Sequence, residues 1–294
     1  MKKTYRFDDE FKRRARALQF AFREEILRDF NEEKAPQVLL SDENAKKGFI
    51  FYEGFRDLII EKVGHISNKM TKNMLRSEHI PYNMFTPLET MPDIAKALFS
   101  ELTGVSIKEI EMPILIEYAG KGKRNEYLND GTSFDAFIRY MTHEGKRGGI
   151  GIEVKYTENE YPLGEKEGKD IAGANEQYRK MTAESGYYIE NLDIRMFLKA
   201  HHLRQIWRNH ILGYSMKNKG EFDIFHHIHL YPRNNSHFQN HALPDYRKIL
   251  TKVGIESFKP VTYEDYIALL EKNSDDKKVR DWVQYLRARY LEIM

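Results

Sequence analysis

Residues 132–140, TSFDAFIRY, and residues 149–157, GIGIEVKYT, decide the reading of this 294-residue chain. Both runs are rich in β-branched and aromatic residues, and the link between them, THEGKRG at 142–148, has hairpin turn chemistry. They are predicted as paired strands. Working outward, 110–118 reads as a preceding strand and 222–231 as a fourth, stopped by Pro232. Residues 196–214 read as a helix between the third and fourth strands. Upstream, Phe11, Ala15, Leu18, Phe22 and Ile26 recur at helical spacing, 44–75 is helical with Gly54 and Gly64 as dividing points, and Pro92 opens a helix that ends before Gly104. The stretch 158–193 reads as a polar insertion, helical from Asn175 to Ala183, and the tail from Thr262 onward as mostly helical. The class is α/β with one central sheet.

Side chains alternate along a strand, so Glu153 and Lys155 share one side while Ile152, Val154 and Tyr156 face the other. A hairpin register sets Asp135 beside the first pair. Gly149 and Gly151 leave room on that side for something to approach. Two carboxylates on adjacent strands are hard oxygen ligands suited to Mg²⁺ or Mn²⁺, and such an ion can polarise a phosphoryl oxygen and acidify bound water. Lys155 would orient or stabilise the attacking group, or lose a proton there. The combination points to metal-assisted phosphodiester hydrolysis. An E-x-K on a strand is otherwise a commonplace cross-strand salt bridge, and the strand order and the Asp give it weight.

The run TSFDAFIRY…GGIGIEVKYTE, in the order helix, three strands, helix, strand, resembles the PD-(D/E)xK nuclease superfamily. Within it, the likeness is to a bacterial group of predicted restriction endonucleases. Further matching stretches are RSEHIPYNMFTPL (76–88), LRQIWRNHILGYS (203–215), LYPRNN (230–235) and WVQYLRARYL (282–291). The resemblance implies a restriction-endonuclease-like αβββαβ core with a mixed sheet and helical additions at both ends. It places an N-terminal helical region at 1–86, a nuclease core at 87–240 and a C-terminal helical region at 241–294. It makes Asp135 and Glu153 metal ligands for Mg²⁺ or Mn²⁺ and Lys155 the catalytic lysine. Phe134 stands where the motif has proline. A third acid is expected from Glu78 or Glu101, ranked equal, with Glu117 behind them. The implied activity is that of a DNA endonuclease, and double-strand cutting would, by analogy alone, be the work of a homodimer. A non-cleaving nucleic-acid binder of the same fold is the alternative.

Residues 195–220 hold six Arg or Lys, three His and no acid. Arg204 and Arg208 share a helical face, as do Gln205 and Asn209. The expectation is that Arg204 and Arg208 hold DNA phosphate while Gln205 steadies the water or phosphate at the metal site. His226, His227 and His229 on the fourth strand suggest a histidine-metal hydrolase, but no HExxH or third ligand accompanies them. Across the chain, 47 Lys and Arg face 45 Asp and Glu for a net charge of +2, so any basic surface is local. The absence of cysteine excludes disulfides, thiolate zinc sites and cysteine nucleophiles. No signal-peptide core follows the acidic 8–10 segment and no apolar run approaches the roughly 18 residues of a membrane span, so a cytoplasmic protein is expected.

Overall fold

A computed structural model describes residues 8–29, 38–65, 67–159, 165, 169 and 175–291. Within the polar insertion at 158–193, residues 160–164, 166–168 and 170–174 lie outside the described residues, as do the N-terminal residues 1–7. Five strands form one sheet in the order β1 (Ile107–Tyr118), β2 (Phe134–Thr142), β3 (Arg147–Val154), β4 (Ile224–Tyr231) and β5 (Phe258–Thr262). The β1–β2 and β2–β3 pairs are antiparallel, and β3–β4 and β4–β5 are parallel, which gives the mixed sheet that the resemblance implies. Parallel pairing of β3 and β4 demands a crossover, and the helices between them supply it. Gly145, at φ +77°, closes the β2–β3 turn.

Among the described residues, the helices of ten or more residues are α1 (Glu10–Ala21), α2 (Pro92–Thr103), α3 (Asn175–Glu184), α4 (His201–Asn218), α5 (Tyr263–Lys272) and α6 (Lys277–Tyr290). Pro92 opens α2, and left-handed Gly104 ends it. The single helix expected over 196–214 is broken at Ala200, whose ψ of +89° is not helical. That break starts α4 at His201. The fifth strand corrects the helical reading of the C-terminal region. FKPVT is five residues long and contains Pro260, which removes a ladder donor and is tolerated at the sheet edge that β5 occupies.

Both faces of the sheet are covered. One hydrophobic cluster joins Ile138, Ile150, Ile152 and Val154 to Phe11 of α1, Leu98 of α2, Ile267 of α5 and Trp282 of α6, so both chain ends share a core with the sheet. The other joins Phe137 and Phe225 to Tyr178 of α3 and Trp207 of α4. Trp207 stacks on Phe197 at 4.5 Å between centroids and lies 4.9 Å from Tyr178.

This second layer overturns the expectation that Gly149 and Gly151 leave an approach. A Cβ at Gly151 would stand 2.3 Å from Phe134 Cε1, and one at Gly149 2.7 Å from Phe137 Cζ. The glycines make room for aromatic rings, and Phe134, the departure from the family motif, is seated by one of them. Gly151→Ala is therefore expected to destabilise the fold by about 1–3 kcal/mol through overpacking, measured by urea denaturation. Unchanged stability would mean that Phe134 can move aside.

Candidate active site

The open ends of β1, β2 and β3 bring three carboxylates into lateral register. The pairs Ile116↔Ala136 and Tyr118↔Phe134 flank Glu117 and Asp135, and the ladder ending at Ala136↔Ile152 puts Asp135 across from Glu153. All three acids line one small pocket with Gln205, Arg208 and Asn209. Asp135, Glu153 and Lys155 also line a larger cleft of about 460 Å³. Glu117 has a left-handed backbone, φ +52°, an uncommon conformation for a residue with a side chain. Its Oε2 accepts from Ser133 Oγ at 3.1 Å.

Glu153 is buried, and both its oxygens are engaged. Lys155 Nζ lies 2.6 Å from Oε1, Gln205 Nε2 donates to the same oxygen, and Asn209 Nδ2 donates to Oε2. Lys155 Nζ in turn donates to Gln205 Oε1 at 2.7 Å. Gln205 therefore bridges the acid and the base from α4, and Asn209 follows it by one turn. The Lys155 backbone is fixed on both sides: its N–H donates to Leu230 O at 2.9 Å, and its carbonyl accepts from Tyr263 Oη at 2.7 Å. Asp135 Oδ2 accepts from Val154 N at 2.6 Å.

The electrostatics follow from burial and crowding. Burial pushes the Asp135 carboxyl well above its ordinary value and Glu153 adds to this, against the opposing pull of Lys155 and the Val154 N–H. Glu117 is raised by burial and by repulsion from Glu153 and Glu78, partly offset by Ser133 and Lys155. Burial works to lower the Lys155 ammonium, but Glu153 and Asp135 outweigh it and hold it above the usual lysine value. The two carboxylates thus favour the charged form of Lys155. The cluster gathers three carboxyl groups around one lysine. Among the described residues no three His, Asp or Glu side chains close around a point as metal ligands do. Glu153 turns its oxygens to Lys155, Gln205 and Asn209 instead. Oxygen-only donors nevertheless suit a hard divalent cation.

The other candidate residues divide. Glu78 lines the larger cleft, its Oε2 lying 3.3 Å from Arg76 Nε. Glu101 is not brought to the site: it lies on the part of α2 that faces the C-terminal region, bonded to Lys272 Nζ at 2.6 Å and Asn273 Nδ2 at 3.0 Å. Arg204 and Arg208 also differ from the expected phosphate-binding face, because both are buried where α4 packs against α3 and the sheet. Arg204 is buried, and its Nε donates to Phe197 O at 3.2 Å. Arg208 Nε and Nη2 donate to Asp130 Oδ2 at 3.1 and 2.8 Å, also within the fold. The acid-free composition of 195–220 does not reveal this, since the partners, such as Asp130, lie outside that segment.

The histidines of β4 are buried, and His229 also lines the larger cleft. His227 and His229 are fully buried; His227 stacks on Phe258 at 5.6 Å, and His229 lies 4.8 Å from Phe238. Burial drives the His227 imidazole down to about 3. His226 lies with its Nδ1 3.5 Å from Tyr140 Oη. Tyr187, Tyr188 and Trp282 are likewise buried.

Sequence reasoning ranked Glu117 behind Glu78 and Glu101, gave Asn209 no role beyond sharing a face with Gln205, and did not single out Tyr263, Lys12 or Arg16, although all lie in the site or its cleft. Asn209 carried a usable signal in its i,i+4 spacing from Gln205. Glu117 did not, because its position depends on register and a left-handed backbone. The family model described as the PD-(D/E)XK nuclease superfamily matches residues 6–292, nearly the whole chain. Comparison with curated proteins gives no match, nor does comparison with solved structures.

Proposed function

Because the chain belongs to the PD-(D/E)XK nuclease superfamily, we propose that it is a divalent-metal-dependent DNA endonuclease whose site is built on Asp135, Glu153 and Lys155. The observation that carries this reading is the row of carboxylates across β1, β2 and β3 with a buried lysine clamped to Glu153. In this proposal Asp135 and Glu153 hold Mg²⁺ or Mn²⁺, and Glu117 is the third acid in place of Glu78 or Glu101. The left-handed backbone at Glu117 supports that choice, since sparsely populated conformations cluster at functional sites. When bound, the ion would polarise a phosphoryl oxygen and lower the pKa of a water.

The chain's own groups have separate tasks. Lys155, held charged, offsets negative charge developing on the phosphate. Gln205 fixes the Lys155 ammonium and the Glu153 carboxylate relative to each other, so neither has to reorganise during the reaction. Asn209 prevents Glu153 from rotating away. Residues 87–240 form the nuclease core in this proposal. The flanking regions 1–86 and 241–294 complete it, with Tyr263 and β5 contributed from the second. No helix among the described residues is long and apolar enough to cross a membrane. Cutting both strands of a duplex would take two such sites, which a cytoplasmic homodimer supplies.

Incubation of closed circular DNA, linear DNA and RNA with the protein in Mg²⁺, Mn²⁺ or EDTA tests the reading. Linearised or nicked circles with either ion and intact circles in EDTA are expected. Retention of DNA in a gel shift without cleavage at any divalent ion would favour the non-cleaving binder. A second expectation needs no turnover. Mg²⁺ or Mn²⁺ at 100 times its dissociation constant should stabilise the fold by about 2.7 kcal/mol, and Glu153→Gln should abolish most of that increment. Equal thermal shifts in both proteins would place the ion elsewhere.

A further inference from the structure

Since Arg204 and Arg208 are turned inward, the larger cleft takes its positive charge from other residues. Lys12 and Arg16, one turn apart on α1, line it together with Asp135, Glu153 and Lys155. They belong to the run KRRAR at 12–16, in which Arg13 and Arg14 are exposed, and Glu10 is the only acid of α1. Arg76, His201 and His202 line the same cleft. His201 and His202 open α4, an 18-residue helix whose N-terminal end carries partial positive charge. The cleft lining is therefore mixed: Asp135, Glu153, Glu78 and Glu158 supply carboxylates, and Lys12, Arg16, Arg76 and Lys155 supply the cations.

The α1 pair already presents itself to an oxyanion. Arg16 donates through Nε at 2.8 Å to Asp8 Oδ2, with Nη2 also 2.8 Å from that oxygen, and Lys12 Nζ lies 4.0 Å from Asp8 Oδ1. A carboxylate in that fork occupies the place a phosphate oxygen would take. We infer that the nucleic-acid backbone crosses the cleft along α1, with Lys12 and Arg16 contacting phosphates that flank the one at Asp135 and Glu153. The strand then continues outward over Arg13 and Arg14. The inference rests on the nuclease reading for which phosphate is cut, but its electrostatic content is tested without catalysis.

A protein that neutralises phosphates releases counterions, so log K falls with log salt in proportion to the contacts made. Affinity of the full chain for a duplex oligonucleotide is measured in EDTA across a NaCl series, for wild type and Lys12→Ala/Arg16→Ala. The slope should become shallower by about 1.8, at about 0.9 per contact, and affinity at low salt should fall at least about 10-fold. Arg16→Lys, which keeps the charge, should retain the wild-type slope. Arg247→Ala/Lys252→Ala, which removes two exposed charges elsewhere, should also retain it. An unchanged slope in the α1 variant, or an equal loss in the second double variant, would overturn the inference even if the wild type cleaves DNA. A shallower slope confined to the α1 variant, in a protein that cleaves nothing, would uphold the interface and refute the nuclease reading.

Discussion

Asp135→Asn is expected to reduce metal-dependent DNA cleavage by at least about 10²–10³-fold while leaving the metal-free protein as stable as the wild type or more so. The two effects have one cause. Burial and the facing Glu153 both disfavour the charged Asp135 carboxylate. Asparagine keeps an oxygen to accept from Val154 N–H, which Asp135 Oδ2 does at 2.6 Å, and removes the charge. A site that sacrifices stability for function shows this separation. Cleavage rates and urea melts on the same preparations check it. Lost activity with lost stability would mean that Asp135 is a structural carboxylate.

Arg208→Ala is expected to destabilise the protein by about 3–5 kcal/mol, because it strands a buried charge. Asp130 accepts from Arg208, from Thr132 N and Oγ1 at 2.9 and 2.7 Å, and from Tyr178 Oη. Burial pushes the Asp130 carboxyl up, but Arg208, Tyr178 and Thr132 outweigh it and hold it below its ordinary value. An acid whose folded pKa is depressed adds stability that is present above its unfolded value, near 3.8, and lost as pH falls through the lower folded value. The gap between wild type and variant should therefore be full at neutral pH and shrink in strong acid. A variant with unchanged stability but a weaker, less salt-dependent affinity for DNA would restore Arg208 to the phosphate-binding role read from the sequence.

The contrast between Arg208 and Lys12 shows where the sequence was legible. Asp135, Glu153 and Lys155 could be placed together because strand alternation and one hairpin register suffice to align them, and these are local properties. The α2 boundaries were equally local, set by Pro92 and Gly104. Burial of Arg204 and Arg208 depends on what packs against α4 from both sides, and no window of sequence contains that. The cleft wall built by α1 is a contact across more than a hundred residues of chain, so KRRAR reads as a solvated helix face until the fold brings it beside Glu153. β5 was missed for a different reason: a five-residue strand containing proline has too weak a pattern to stand against its helical neighbours.

The most direct measurement is plasmid cleavage in Mg²⁺ and in Mn²⁺ by wild type, Asp135→Ala and Lys155→Ala, each shown to be folded by circular dichroism. The expected result is cleavage by the wild type and loss of at least about 10²-fold in both variants. Equal activity in all three proteins would contradict the assignment of the site to Asp135, Glu153 and Lys155.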